Sequence, residues 1–509
     1  MPHGHQLTGA KLEGVAILTA DQMRAAEARA GARGIASYDL MQHAGHAVVD
    51  AVRQRWPGWG GSVLVLCGAG NNGGDGFIVA RGLGDFGYDV AVAAARPLAE
   101  YQGDAGRAAA AFGRAVLPLT AEALGSRFTA DTLVVDAVFG IGLSRPVAGE
   151  LVPLFAALNA GSAPVIAVDI PSGIQADTGE ILGCAVQAAV TITFGWPKRG
   201  HFLVPGRVFC GDLVVADIGL RGDDLPPGAA DGVAVNGLPL WREALPKPGA
   251  ADHKYSRGHA VIAGGATMPG AARLAARAAR RAGVGMLTVA TADAARGLYL
   301  ADQPGLIVAA SAGPGDFARL LADRRVTGCL VGSGLAPEAE TRALVLAALA
   351  SGRPCVIDGG GLTAFAGDAN GLAQAARGQP VLTPHEGEFA RLFPHLLALP
   401  DKVARAQAAA KESGAVLVLK GADTVIAAPD GRTAINANAP AWLATAGSGD
   451  VLAGLVLGLV AQGMPAFPAA AAAVWLHGAA GSAFGPGLIA EDLPEQLPAL
   501  LAPLWSAHG

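Results

Sequence analysis

The sequence predicts an α/β protein of two doubly wound domains, residues 1–225 and 226–509, and three observations predict it. At 509 residues the chain exceeds what one hydrophobic core usually serves, and roughly 150 residues per domain suggests two or three units. In both halves apolar β-rich runs alternate with helical segments, and their hydrophobicity is continuous rather than alternating, which marks strands buried on both faces of a mostly parallel sheet. Between Arg221 and Pro248 periodicity fails and proline clusters, the composition of a linker. Hydrophobic residues make up 52% and charged residues 16%, so apolar surface suffices for compact folding. Glycine, 72 residues, is about twice its usual ~7% and gathers after apolar runs, where backbone approaches something closely or takes φ > 0.

The same numbers exclude several functions. A formal net charge of −5 without any dense Lys/Arg stripe argues against nucleic acid. The five cysteines lie far apart without C-x-x-C spacing, as buried reduced thiols do. Lys11, Glu13, Asp21 and Arg24 leave no apolar signal-peptide core, so a cytoplasmic location is expected. The longest uncharged stretch, 451–490, is divided by Gly463, Pro465 and Pro468 into pieces shorter than the ~20 residues of a membrane span. Two buried helices joined by a turn are expected there.

In the first half, Thr19 and Gln22 form a capping-box pattern opening a helical stretch that runs, with a break at 31–34, to about Arg55. Strands follow at 63–67, 90–94, 133–135 and 165–168, with a helix at 104–112. The segment from Cys67 to Gly76 follows a strand and precedes an apolar helix at 77–83. In outline it is an anion-binding loop, with glycines that admit a ligand to the backbone N–H groups. It matches neither G-x-G-x-x-G with its distal acid nor the P-loop. Asn71, Asn72 and Asp75 distinguish it from a bare turn, because three short polar side chains in one loop converge on something. Two further strand ends carry Asp136 and Asp169, each readable as a helix cap or a ligand. Three adjacent strand ends would face one crevice. Asn72, Asp136 and Ser172, all oxygen donors, together suit a hard cation. Lys198 reads equally as a surface lysine or a site residue.

In the second half, strands are expected at 259–263, 287–290, 328–331, 356–358 and 416–419. No residue-level repeat relates the halves. The segment 444–450, Ala-Thr-Ala-Gly-Ser-Gly-Asp, opens an apolar helix at 451–460. Its glycines free N–H groups for phosphoryl charge and place Asp450 to accept a hydroxyl proton, though by pattern alone it is also a common turn. Leu419 to Ile426 reads as strand, glycine turn, strand, a nucleotide-site lining or a plain hairpin. His385, after Val381-Leu-Thr-Pro, sits at a strand end before a helix, as a ligand contact or a cap. The close-packed glycine turn at 264–270 leads into an arginine-studded helix.

Residues 15–220 resemble the NAD(P)H-hydrate epimerases, a Rossmann-like domain. The resemblance implies that Asn71, Asn72, Gly73, Gly74 and Asp75, with Gly140, Ile141, Gly142, Leu143, Ser144, Arg145, Pro146 and Asp169, bind the hydrated cofactor. It implies that Asn72, Asp136 and Ser172 hold potassium (K+). Epimerising a carbon flanked by nitrogen and oxygen needs a carboxylate or amine within reach, and Asp169 is the first candidate, ahead of Lys198. Gln42 stands where that family usually has Glu. Residues 235–505 resemble the ADP- or ATP-dependent NAD(P)H-hydrate dehydratases, of ribokinase-like fold. The likeness rests on the order of the glycine turn, Gly332-Ser-Gly334, Thr-Pro-His, Lys-Gly-Ala-Asp-Thr and Gly-Ser-Gly-Asp. Carried over, Ala272, Gly334, His385 and Asp450 contact the hydrate, while Lys420, Gly421, Ala422, Asp423, Thr424 and Gly449 contact ADP or ATP.

Together the halves resemble the bifunctional NAD(P)H-hydrate repair enzymes. That implies phosphoryl transfer to the hydrate's hydroxyl with Asp450 as base, elimination of phosphate, and Mg2+ bridging the phosphates. The implied partners are hydrated NADH and NADPH and an adenine nucleotide, with no nucleic acid and no membrane, and a homo-oligomer is expected. Ser333 replaces a usual Pro, Glu386 replaces a Pro after the His, and Gly360 stands where a second Asp is often found. The rival readings are a ribokinase-like small-molecule kinase, since base and anion loop serve any acceptor alcohol, and an N-terminal domain that only binds ligand.

Overall fold

A computed structural model describes residues 6–229, 232–301 and 303–506. The chain forms two compact units, Met1–Val233 and Ala234–Gly509. The break lies eight residues beyond the expected 225/226, inside a strand, Val233–Val235, hidden in proline-rich text. Three residues carry too little periodicity to be read as a strand.

The first unit has strands β1 (Gln6–Thr8), β2 (Ser62–Cys67), β3 (Asp89–Ala94), β4 (Leu117–Pro118), β5 (Thr132–Ala137), β6 (Val165–Val168), β7 (Val190–Phe194) and β8 (Asp212–Ala216). They lie in the order β1-β8-β7-β6-β5-β2-β3-β4, parallel except for β1. From β2 the chain winds outward one way through β3 and β4, and the other way from β5. The crevice between β2 and β5 is therefore the topological switch point, where ligands of such sheets bind. Helices α1 (Ala20–Ala32) and α2 (Ser37–Arg55) precede β2, with both halves of the Thr19/Gln22 capping box formed.

Helix α3 runs Asn71–Asp85, six residues earlier than expected. The glycines explain the difference. A Cβ built on Gly73 would lie 1.9 Å from the Gly68 carbonyl oxygen, and one on Gly76 would lie 2.8 Å from both Ala137 and Cys67. They let the first turn lie against the sheet, an arrangement tertiary packing imposes over their poor helix propensity. Asn71, Asn72 and Asp75 thus stand on a helix rather than a loop.

The second unit holds β9 (Val233–Val235), β10 (His259–Ala263), β11 (Met286–Thr291), β12 (Ile307–Ala310), β13 (Gly328–Val331), β14 (Cys355–Ile357), β15 (Val381–Leu382), β16 (Val416–Leu419), β17 (Val425–Ala427) and β18 (Thr433–Ile435). Their order is β12-β11-β10-β13-β14-β15-β16-β17-β18-β9, parallel from β12 to β16 and antiparallel through β17 and β18. Its switch point lies between β10 and β13. The helices Ser448–Ala461 and Ala466–Phe484 are the two buried helices expected across the uncharged stretch. No helix among the described residues is long and apolar enough to cross a membrane.

Packing positions the second site. Gly454 and Gly458, one turn apart, face the helix Pro269–Arg281, where an added Cβ would come 2.2 Å from the Ala275 carbonyl oxygen and 2.6 Å from that of Ala279. Backbone contact between these helices fixes the start of Ser448–Ala461 relative to the glycine turn after β10. The five cysteines are free thiols, four of them buried.

Candidate active sites

In the first unit a cleft of about 1240 Å³ opens over the carboxyl ends of β2, β5 and β6. Asn71, Asn72, Asp75, Asp169, Lys198 and all seven residues from Gly140 to Pro146 line it, as do Glu27 and Arg24 of α1. Gly73 and Gly74 are buried beneath its floor. Asp136 and Ser172, both 0% exposed, also lie beneath the surface. The Asp136 carboxylate accepts from Ser172 Oγ at 2.6 Å, from Ser172 N at 2.8 Å and from Val138 N at 3.3 Å. Burial pushes its pKa up to about 6 in spite of these bonds.

Asp169 is the one non-glycine residue with positive φ, 68°, among the described residues. Such a backbone persists only where its surroundings over-determine it. Here Oδ1 accepts from Lys198 Nζ at 2.7 Å and Thr193 Oγ1 at 3.0 Å, and Oδ2 from Ile141 N at 3.3 Å. His201 braces the backbone: its Nδ1 accepts from Lys198 N at 2.9 Å, which leaves Nε2 to donate to the Asp169 carbonyl at 2.9 Å. Burial lowers the His201 pKa to about 4, so the brace is a neutral ring. Lys198, readable from sequence as a surface residue, is 1% exposed and is the counter-ion of Asp169. Nothing in its local sequence marks this pairing, which forms across 29 residues.

Burial works against the charge on Asp169, but Lys198 outweighs it and holds the carboxyl below its ordinary value. Asp75 is pushed well above its own, by burial first and then by Asp169 and Glu27. Glu27 is raised as well, chiefly by burial. Neighbouring carboxyls with displaced pKa values are the arrangement that gives one an acid's role and another a base's. Glu27 went unread in the sequence because an acid on an amphipathic helix resembles any solvated position.

In the second unit the carboxyl ends of β13, β14, β15 and β16, adjacent in the sheet, set Ser333, Asp358, Thr383 and Lys420 in a row. The buried Asp358 accepts from Thr383 Oγ1 at 2.7 Å and Lys420 Nζ at 2.9 Å on Oδ1, and from Ser333 Oγ at 3.2 Å on Oδ2. Against this row stands the start of Ser448–Ala461, entered through Gly447 at φ 87°. Asp450 lies in its first turn, and a Cβ on Gly449 would come 3.4 Å from Lys420 Nζ. Burial and the charge of Asp358 raise the Asp450 pKa to about 6, against the pull of Ser333 and Lys420. Lys420 is itself held above its ordinary value, since Asp358 and Glu388 outweigh its burial.

The turn from Lys420 to Thr424 joins antiparallel β16 and β17, with Thr424 Oγ1 donating to the Gly421 carbonyl at 2.8 Å. Asp423 and Thr424 are buried. His385 caps the helix Glu386–Leu392, its Nδ1 accepting from Gly387 N at 3.0 Å and Glu388 N at 3.4 Å, while its side chain stays half exposed. Gly334, at φ 75°, closes against the Met268 carbonyl. Ala272 has no exposed surface and sits in the core, so the geometry lends no support to a ligand contact there.

Comparison with known proteins places both halves. Residues 259–498 match the family described as NAD(P)H-hydrate dehydratase, and residues 37–200 the YjeF-related protein N-terminus. The bifunctional NAD(P)H-hydrate repair enzyme Nnr of Moorella thermoacetica is 38% identical over 476 residues, 88% of each chain. That of Salinibacter ruber is 36% identical over 527 residues, 96% of each, and that of Gloeobacter violaceus 39% over 494 residues, 91% of this chain and 92% of its own. Among solved structures, an ADP/ATP-dependent NAD(P)H-hydrate dehydratase from Bacillus subtilis, co-crystallized with ATP/Mg2+, is 29% identical with a TM-score of 0.45, covering 52% of this chain and 95% of its own. With relatives this similar along nearly their whole length, the chain belongs to the family of bifunctional NAD(P)H-hydrate repair enzymes.

Proposed function

We propose that the first unit interconverts the R and S forms of hydrated NADH and NADPH, and that the second unit dehydrates the S form at the expense of ADP or ATP. The observation that carries this reading is the opposite treatment of two carboxyls. Asp169 is held below the ordinary carboxylate range by Lys198 beside an Asp75 that burial pushes well above it, an arrangement that suits epimerisation by proton relay. Asp450 is raised to about 6 at a helix start facing Lys420, which suits a base that takes a hydroxyl proton while N–H groups receive phosphoryl charge. In this reading Asn71, Asn72 and Asp75, with Gly140 to Pro146, hold the hydrate in the first cleft, over the buried Gly73 and Gly74. Gly334 and His385 hold it in the second, and Lys420 to Thr424 with Gly449 hold the nucleotide.

K+ suits the first unit. Asp136 is a buried carboxylate without an ion pair among the described residues, and Asn72 and Ser172 complete an all-oxygen donor set. Mg2+ in the second unit would neutralise charge on the transferring phosphate.

The test feeds the full chain separate R and S hydrates with and without nucleotide. The S form should regain dihydropyridine absorbance with nucleotide alone, and in Asp169→Ala the R form should fail while the S form still reacts. A stable phosphorylated product with no return of absorbance would instead favour the small-molecule kinase.

A further inference from the structure

Lys402 has no part in the reactions above, yet it is among the least comfortable charges in the second unit. It is 6% exposed and is the first residue of the helix Lys402–Ser413, where the helix dipole disfavours a cation. A buried ammonium at such a place persists only when it is well paired. This one donates to Asp423 Oδ1 at 2.7 Å and to the Lys420 carbonyl at 3.3 Å, and forms an ion pair with Glu386 Oε1 at 3.2 Å. Two of these acceptors are near opposite ends of the Lys420–Thr424 turn, and the third opens the helix capped by His385. A Cβ on Gly421 would lie 2.4 Å from the ammonium, so glycine there leaves Lys402 room to reach the turn. Backbone pairing joins the same segments, with Lys420 N donating to the Pro384 carbonyl at 2.8 Å.

We propose that Lys402 is a positioning residue for nucleotide capture: it clamps the Lys420–Thr424 turn in its binding shape and ties it, through Glu386, to the His385 corner. A turn ordered in advance spares the nucleotide the entropy of ordering it, and the gain appears in affinity rather than in the chemical step. The proposal rests on the dehydratase reading of the second unit.

The experiment measures, on the full chain, kcat and the KM of ADP, ATP and the S hydrate for wild type, Lys402→Met, Lys402→Arg and Glu386→Gln. Lys402→Met should raise nucleotide KM by about tenfold or more with the hydrate KM within about twofold and kcat largely kept. Lys402→Arg should recover part of the loss, and Glu386→Gln, at a half-exposed position, should show a smaller rise of the same kind with an unchanged melting temperature. An unchanged nucleotide KM in both Lys402→Met and Glu386→Gln overturns the clamp while leaving the dehydratase reading intact. So does a uniform loss in which kcat and both KM values move together with the melting temperature. A wild-type chain without nucleotide-dependent dehydration overturns the reading itself, and the clamp with it.

Discussion

The two sites are built alike and tuned apart. Each lies at the carboxyl ends of adjacent parallel strands, each gathers carboxyls there, and in each a lysine donates to one of them. In the first unit Lys198 donates straight to Asp169 and keeps it ionised. In the second, Lys420 donates to Asp358, and Asp450, left with burial and a neighbouring negative charge, rises to about 6. The lesson is that burial acts on both carboxyls in the same direction, and the partner chosen by a single ammonium decides whether that push is overcome.

The comparison can be broken most directly at the two carboxyls. Asp450→Asn should lower dehydration by about 10²- to 10⁴-fold, as loss of a general base does, with epimerisation of the hydrates unaltered in the same preparation. A loss of both activities would show that the sites are not separately tuned. Next in size is Lys198→Met, which leaves a buried carboxylate unpaired and should destabilise the first unit by about 3–5 kcal/mol in urea unfolding, unless Asp169 takes up a proton. Epimerisation should disappear either way.

The pH dependence sharpens the contrast. A base with a pKa of about 6 is protonated below it, so kcat/KM for dehydration should fall as pH drops through 6. Asp169, held below its ordinary value, stays ionised there, so epimerisation should persist to lower pH. Asp136 adds a signature in stability. Its folded pKa of about 6 lies above its ordinary 3.8, so the native state binds the extra proton between these values and stability declines as pH rises through that window. If potassium binds there, it should raise the melting temperature more at pH 8 than at pH 5. The smallest effects are architectural. Gly454→Ala forces a methyl into the Ala275 carbonyl and should cost about 1–3 kcal/mol, read in the second unit's transition. Thr19→Ala removes a cap worth about 1 kcal/mol, read only in the first.

Much of the fold was legible because buried strands and amphipathic helices write their period into neighbouring residues. The strands at 63–67, 90–94 and 165–168, the capping box at Thr19 and the two apolar helices after Ser448 all follow from such patterns. The short edge strands Gln6–Thr8, Leu117–Pro118 and Val233–Val235 were not, because two or three residues hold no measurable period. The start of α3 was misplaced for a different reason: glycine's helix penalty is offset only by contacts with Gly68, Ala137 and Cys67 that the local text does not display.

The sequence by itself determined the class of fold, the division into two units and the polar residues clustered at strand ends, since all are local patterns of residue type. Only the tertiary structure decided that Lys198 is a buried counter-ion, that Lys402 clamps the Lys420–Thr424 turn and that Ala272 is core. Pairing and desolvation are set by chain segments tens of residues apart, and the charge a carboxyl carries depends on what those segments bring within a few ångströms of it.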